Sequence, residues 1–95
     1  MHFLITAYDG TDPEAPSRRQ AVRTSHLERA KKAKREGTIV FGGAILDEHD
    51  EMVGSALVVA CESQADAYKW LEDDPYVTGG VWKDISIQPF LLASL

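Results

Sequence analysis

The spacing of apolar residues alternates between the period of a strand and the period of a helix along this 95-residue chain. Phe3, Ile5 and Ala7 recur at every second position, which predicts a strand with two usable faces. A turn-rich segment, residues 9–17, follows, and the apolar residues after it recur at the helical interval. A short chain with this alternation must pack its helices against a sheet.

The first helix is predicted to begin at Ser17, because Gln20 stands three residues later, in the spacing of a capping box. We expect it to run to about Glu36 and to end at Gly37, since glycine readily adopts the left-handed conformation that follows a helix. The residues of its predicted buried stripe share one face and are Val22, His26, Ala30 and Ala33, with Leu27 beside them.

Three more strands and one more helix complete the predicted order. Residues 38–45 and 52–60 are rich in β-branched and small residues, and the polar segment 47–51 joins them as a hairpin. Ser63, with Asp66 three residues later, starts a second helix that ends before Pro75. A last strand lies within residues 84–92, with Pro89 near an edge or a bulge. The order βαββαβ predicts one α+β domain over residues 1–95: a ferredoxin-like sandwich with both helices on one face of an antiparallel sheet.

Charge and composition narrow the function classes. The formal net charge is −5 and the pI is near 5.0, which disfavours a protein that binds nucleic acid through phosphates. Most of the cations lie between Arg18 and Arg35, where acidic residues interrupt them. We interpret this cluster as a solvated helix face; the alternative is an anion site, which needs only one or two arginines pointing inward.

The cysteine count and the N-terminal segment predict a cytoplasmic protein. Cys61 is the single cysteine and lies beside an apolar run, as expected of a small buried residue in a reducing compartment. The segment MHFLITAYDG lacks a basic region before its short apolar run, and no apolar segment is long enough to cross a bilayer. We therefore expect no membrane association.

The segment WLEDDPYVTGGVW breaks a local rule of helix chemistry. The helix before Pro75 finishes with Glu72, Asp73 and Asp74, although the negative end of a helix dipole favours cations. Asp74 either caps the turn that enters Pro75 or serves a site that needs a carboxylate. His26 on the apolar stripe has two corresponding interpretations, a buried histidine bonded to backbone or a partner for Asp74. We predict that His26 and Asp74 are in contact and open onto one cavity.

Two weaker candidates are also present. Residues 47–51 include His49 among four acidic residues, but consecutive residues cannot all converge on one ion, so we interpret them as a solvated hairpin turn and expect no metal. Ser55 follows Gly54 in a predicted strand, where its hydroxyl either points into a pocket or is satisfied within the sheet.

With these residues in hand, the chain resembles the YCII-related family, small ferredoxin-like proteins akin to the muconolactone-isomerase group. The resemblance covers nearly the whole length. Its motifs are Arg19, Arg23, His26 and Leu27 in the pattern R-x-x-x-R-x-x-H-L, the pairs Gly42-Gly43 and Gly54-Ser55, the triplet Asp74-Pro75-Tyr76 followed by Gly79 or Gly80, and Pro89-Phe90. The family often has proline after its paired glycines, where this chain has Ala44.

The resemblance implies a homodimer with a ligand cavity beside the sheet, and His26 and Asp74 occupy the positions of the family's proposed catalytic pair. Some relatives are dehydrochlorinases that act on chlorinated aromatic compounds. The first hypothesis is therefore an enzyme without cofactor, in which His26 is the general acid/base and Asp74 orients it. Its substrate is a small, anionic, cyclic or aromatic molecule, and the predicted substrate-binding residues are Arg19, Arg23, Ser55 and Tyr76. The second hypothesis is a dimeric domain that binds or senses a small molecule without catalysis.

Overall fold

The computed structural model describes residues 1–95 and has the predicted order of strands and helices. The elements are β1 (His2–Asp9), α1 (Ala15–Glu36), β2 (Ile39–Leu46), β3 (Met52–Ala60), α2 (Gln64–Leu71), α3 (Pro75–Thr78) and β4 (Trp82–Phe90). The four strands form one sheet in the order β2-β3-β1-β4, and every neighbouring pair is antiparallel. This is the predicted ferredoxin-like α+β sandwich, and the short helix α3 is the one element that the sequence did not predict.

The core lies between the helices and one face of the sheet. Ile5 of β1 stands opposite Leu57 of β3 and Ile87 of β4, and all three side chains are buried. Phe3 and Ala7 share this face of β1, as their spacing predicted. Since β1 is central, its alternate residues fix the middle of the core.

Helix α1 begins at Ala15, two residues before the predicted start. Glu14 is the N-cap and makes no side-chain capping bond, so the predicted capping role of Ser17 is wrong. Pro16 explains the difference, because its fixed φ suits the first turn of a helix and its missing N–H would be unpaired there anyway. The helix ends as predicted at Gly37, whose φ is 84°.

The junction after α2 differs most from the prediction. Ser63 caps α2 as expected, accepting a hydrogen bond from the Asp66 N–H at 3.1 Å. The chain then turns and re-enters a helix at Pro75, so α3 packs against α1. As a result, Asp74 is the N-cap of α3 and not the last residue of α2.

The second face of the sheet has no helix on it. Leu4 and Thr6 of β1 point away from the core and are only half-buried, although β1 has a neighbouring strand on both sides. The edge strand β4 carries Pro89, as predicted, because an edge position tolerates the missing N–H. None of the helices combines the length and the apolar character needed to span a membrane.

Candidate active site

His26 and Asp74 are in direct contact, as the sequence predicted. His26 Nδ1 lies 2.8 Å from Asp74 Oδ1, and the two residues are only 7% and 2% exposed. A carboxylate only accepts hydrogen bonds, so Nδ1 carries the proton and donates it to Asp74. The other ring nitrogen, Nε2, forms no hydrogen bond within the chain, and His26 lines a cavity. Nε2 is therefore available to a molecule bound there.

The Asp74 carboxylate has two further donors. Its Oδ1 accepts from the Tyr76 backbone N–H at 2.9 Å, which caps α3, and its Oδ2 lies 3.2 Å from Arg29 Nη1. Arg29 Nη2 also donates to the Trp70 carbonyl, and its guanidinium lies 4.4 Å from the centroid of the Trp70 ring. One side chain therefore both caps a helix and bonds His26.

Arg29 also resolves the apparent conflict with the helix dipole. The C-terminal carbonyl of Trp70 does receive a cation, but that cation comes from α1 and not from α2 itself. Glu72 and Asp73, in contrast, are exposed. The carboxylate that broke the local rule is thus the one with a specific set of partners.

Two aromatic side chains hold the histidine ring. The Tyr76 ring stacks on His26 with 3.8 Å between centroids and 10° between planes. Trp82 contacts His26 edge-on at 5.8 Å and Tyr76 edge-on at 5.3 Å. Because both neighbours are buried, the imidazole is held by packing as well as by its bond to Asp74.

The Tyr76 hydroxyl group belongs to the same environment. Burial raises the pKa of the Tyr76 phenol above its ordinary value of 10.0, while the positive charge of Arg19 opposes this shift. The guanidinium of Arg19 also lies over the Tyr76 ring, 4.7 Å from its centroid. The Tyr76 ring therefore contacts both a histidine and an arginine.

Arg19 is buried and bound within the protein. Its Nη1 contacts both oxygens of Asp9 at 2.9 and 3.0 Å, and its Nη2 donates to the Gly54 carbonyl and to Ser55 Oγ, each at 3.1 Å. Ser55 Oγ also accepts from Trp82 Nε1 at 3.2 Å, which leaves the serine proton free to be donated. Arg19 and Ser55 both line the cavity, but the charge of Arg19 is already compensated by Asp9.

The cavity lies between α1 and the β2–β3 side of the sheet and has a volume of about 630 Å³. Five of the six predicted site residues line it: Arg19, Arg23, His26, Ser55 and Tyr76. Asp74 lies behind His26, out of the cavity. Arg23 forms no ion pair with a carboxylate of the chain. The structure thus brings five of the predicted residues together at one cavity, while the prediction that Asp74 also opens onto it is wrong, because the His26 ring lies between them.

The acidic segment between β2 and β3 takes no part in this site. Asp47 Oδ1 accepts from the backbone N–H groups of His49 and Glu51 at 2.8 and 3.0 Å, which is the hydrogen bonding of a tight turn. These bonds, above all the one from Glu51, lower the pKa of the Asp47 carboxyl. The segment is the hairpin turn that the sequence predicted.

Sequence reasoning did not find Asp9, Arg29 and Trp82. Asp9 could have been found, because it continues the alternation of Phe3, Ile5 and Ala7 and so points to the buried face of β1. A carboxylate there needs a cation as its partner. Arg29 follows His26 by three residues on the same side of α1, which is another usable signal. For Trp82 no local pattern distinguishes a residue beside the histidine from an ordinary core aromatic.

Comparison with known proteins gives one consistent result. The family model described as YCII-related domain matches residues 1–91. An uncharacterized protein of Haemophilus influenzae is 34% identical, and the protein YciI of Escherichia coli is 32% identical; each alignment covers 95% of this chain and 96% of the relative. A solved structure, the 5-chloro-2-hydroxyhydroquinone dehydrochlorinase TftG of Burkholderia phenoliruptrix in complex with 2,5-dihydroxybenzoquinone, shares the fold with a TM-score of 0.83. It is 24% identical over 98% of this chain and 96% of that chain.

Proposed function

The chain belongs to the YCII-related family, and we propose that it is a lyase or isomerase that acts without a cofactor on a small, anionic, cyclic or aromatic metabolite. The observation that carries this proposal is the orientation of His26. Its Nδ1 is held by a buried carboxylate, its ring is fixed by Tyr76, and its Nε2 is left at a cavity. A fixed imidazole with one free nitrogen is suited to proton transfer.

In the proposed reaction, His26 Nε2 takes a proton from the substrate. The electron pair of the broken bond to hydrogen forms a new double bond and expels a leaving group such as chloride from the neighbouring carbon. In an isomerisation, His26 instead returns the proton at another carbon. Asp74 keeps the ring in one tautomer and stabilises the imidazolium that forms, while Arg29 fixes Asp74.

Arg23 is the better of the two predicted arginines for an anionic group of the substrate. Arg19 uses its terminal nitrogens on Asp9, Gly54 and Ser55, whereas Arg23 has no carboxylate partner and is half-buried at the cavity. An arginine can bind a carboxylate or an enolate through two parallel N–H groups. The Ser55 hydroxyl can donate to a second oxygen of the same molecule.

The structural relative supports a ring-shaped, acidic substrate. TftG is described as a dehydrochlorinase and holds a dihydroxybenzoquinone, a flat ring with acidic hydroxyl groups. A ring of this kind fits within a cavity of about 630 Å³. For this chain we propose the same class of molecule and leave the leaving group open.

We also propose that the working unit is a homodimer. The uncovered sheet face presents half-buried Leu4, Thr6 and Ala56 and the exposed Tyr8. A second copy of the chain would remove this apolar area from water, and its small side chains permit close approach of two sheets.

The test is a turnover screen over hydroxylated and halogenated aromatic acids, quinones and lactones, followed by absorbance and by release of protons and halide. Turnover is expected to fall by roughly 10²-fold or more in His26→Gln, because general acid/base catalysis contributes that much. The matched control is His49→Gln, which changes a histidine whose side chain is 77% exposed in the hairpin turn.

Circular dichroism of both variants checks that the fold is retained. Saturable binding of a compound without any turnover, unaffected by His26→Gln, would favour the non-catalytic binding domain instead. Equal turnover in wild type and His26→Gln would remove the histidine from the mechanism.

A further inference from the structure

The cavity has a strong asymmetry of charge that the proposed catalytic residues do not explain. It is lined by five of the ten cations of the chain, although the chain as a whole carries 15 acidic residues and a net charge of −5. No aspartate or glutamate lines it. A cleft lined by one sign of charge concentrates counter-ions, and this one attracts anions.

These cations form two groups along α1. Arg19 and Arg23 lie near His26, while Lys31, Lys34 and Arg35 lie near the C-terminal end of the helix. Between the groups, Leu27 and Ala30 line the cavity, and the sheet opposite contributes Leu57. The cavity therefore has two arginines at one end, of which Arg19 is paired with Asp9, an apolar middle and a second group of cations at the other end.

Stabilisation of the helix dipole does not account for all of the outer cations, which are Lys31, Lys34 and Arg35. Lys34 and Arg35 lie in the last turn, where the dipole favours cations, and Lys34 donates to the Val40 carbonyl at 2.6 Å. Lys31 lies before the last turn. Lys31 and Arg35 both line the cavity, and neither pairs with a carboxylate of the chain.

We propose that Lys31 and Arg35 form a second anion subsite, so that the cavity binds an elongated molecule with an anionic group at each end and an apolar part between them. At a rise of about 1.5 Å per residue, Arg23 and Lys31 are about 12 Å apart along the helix axis. A single ring held at Arg23 does not reach Lys31. The volume of about 630 Å³ lies within the range of roughly 300–1,000 Å³ that is typical of pockets for drug-sized ligands, so it has room for more than one ring.

This inference rests on the proposed function for the inner end of the cavity, where Arg23 holds the group that presents the reacting carbon to His26. It adds a class of substrate: an acid whose ring carries a chain with a second carboxylate, sulfate or phosphate. The outer group supplies binding energy and does not take part in proton transfer.

The experiment compares two probes by isothermal titration calorimetry at constant ionic strength. The first is a benzoate that carries a carboxyhexyloxy chain at the para position. The second is the same molecule with its chain carboxylate converted to a methyl ester, which keeps the length and removes one charge. The dianion is expected to bind wild-type protein about tenfold more tightly, as two partly exposed ion pairs would give.

The double variant Lys31→Gln with Arg35→Gln should reduce this preference to less than about twofold while the affinity for the ester stays unchanged. The matched control, Lys32→Gln with Lys69→Gln, removes two exposed cations that do not line the cavity and should keep the preference. Charge reversal with Lys31→Glu and Arg35→Glu should make the ester the tighter ligand. All of these changes lie on exposed positions, and circular dichroism checks the fold.

Equal affinity of wild-type protein for the two probes would overturn the subsite, as would failure of both to bind or an equal loss of preference in the control variant. The titration needs no turnover, so it separates this inference from the proposed reaction. Preference for the dianion in His26→Gln, together with no turnover in any screen, would support the subsite and remove the catalytic proposal. Turnover that depends on His26, together with equal binding of the dianion and the ester, would support the catalytic proposal and remove the subsite.

Discussion

Arg29 lies 3.2 Å from the Asp74 carboxylate and ties α1 to the junction between α2 and α3. The same guanidinium donates to the Trp70 carbonyl at the end of α2. Asp74 thus has two partners besides His26, which are Arg29 and the backbone N–H of Tyr76. Arg29, which does not line the cavity, therefore helps to hold the carboxylate that bonds His26.

Removal of Arg29 should loosen this arrangement. In Arg29→Met, Asp74 loses one charged donor and the Trp70 carbonyl loses its partner, so we expect a loss of about 1–3 kcal/mol in the free energy of unfolding. Turnover should fall by roughly tenfold or more, because a displaced Asp74 no longer fixes the ring. Urea unfolding and steady-state kinetics measure the two effects.

Arg18→Met is the matched control for that prediction. Arg18 lies on the same helix, is half-buried like Arg29 and binds Asp12 through two contacts at 2.6 and 2.7 Å, but Asp12 is exposed whereas Asp74 is buried. Loss of the Arg18 side chain should cost less stability and leave turnover unchanged. Wild-type kinetics in Arg29→Met would contradict the prediction, because Asp74 would then be held well enough by His26 and the Tyr76 N–H alone.

The two roles of Asp74 can be separated by two substitutions. Asp74→Asn keeps an oxygen that caps α3 at the Tyr76 N–H but replaces the charged acceptor of His26, so turnover should fall by roughly 10²-fold while the fold remains. Asp74→Ala should also lose about 1 kcal/mol of stability through the lost cap. Hydrogen exchange at the Tyr76 amide, together with kinetics, distinguishes them: fast exchange is expected only in the alanine variant.

The order of elements was predictable because most of their ends carry strong local signals. Ser63 with Asp66 marks the start of α2, and Gly37 marks the end of α1. The predicted start of α1 is two residues late, because Pro16 is typical of a turn and equally suited to the first turn of a helix. Helix α3 was missed because a single helical turn, capped by Asp74, has too few residues for a periodic pattern.

The contact at the centre of the candidate site was predictable because two residues conflicted with their local surroundings. His26 on an apolar stripe and Asp74 after a helix each needed a partner, and the contact between them follows from that need. Arg19 was expected to meet a ligand, but its partner Asp9 lies ten residues earlier, in a segment assigned to a turn. The stacking of Tyr76 on His26 depends on how α3 packs against α1, which no single segment encodes.

Stability at high pH should depend on Tyr76. Burial raises the pKa of its phenol in the folded chain above the unfolded value, so its contribution is complete below about pH 10 and is lost as pH rises through the folded pKa. The stability of Tyr76→Phe should therefore decrease less steeply than that of the wild type as pH rises above about 10. Unfolding followed by circular dichroism at each pH measures this. Tyr68→Phe removes an exposed phenol from α2 and should keep the wild-type slope.

Gly54 is required by the close approach of β3 to β1. A Cβ at this position would lie 2.5 Å from the Ala7 carbonyl oxygen, which is backbone and cannot move away without disturbing the sheet. Gly54→Ala should destabilise the protein by about 1–3 kcal/mol and also disturb the bond from Arg19 to the Gly54 carbonyl. Gly43→Ala, where a Cβ meets nothing within 4 Å, is the control in the same urea titration.

The proposed dimer makes a prediction about Thr6. This residue lies on the central strand β1, pairs with Ala56 and Ser86, and points to the sheet face that no helix covers. Light scattering of wild-type protein should give the mass of two chains. Thr6→Arg should give one chain, because a second copy would have to desolvate a guanidinium on each side of the interface. Thr24→Arg, on the exposed side of α1, should stay dimeric; a wild-type monomer at high micromolar concentration would overturn the proposed assembly.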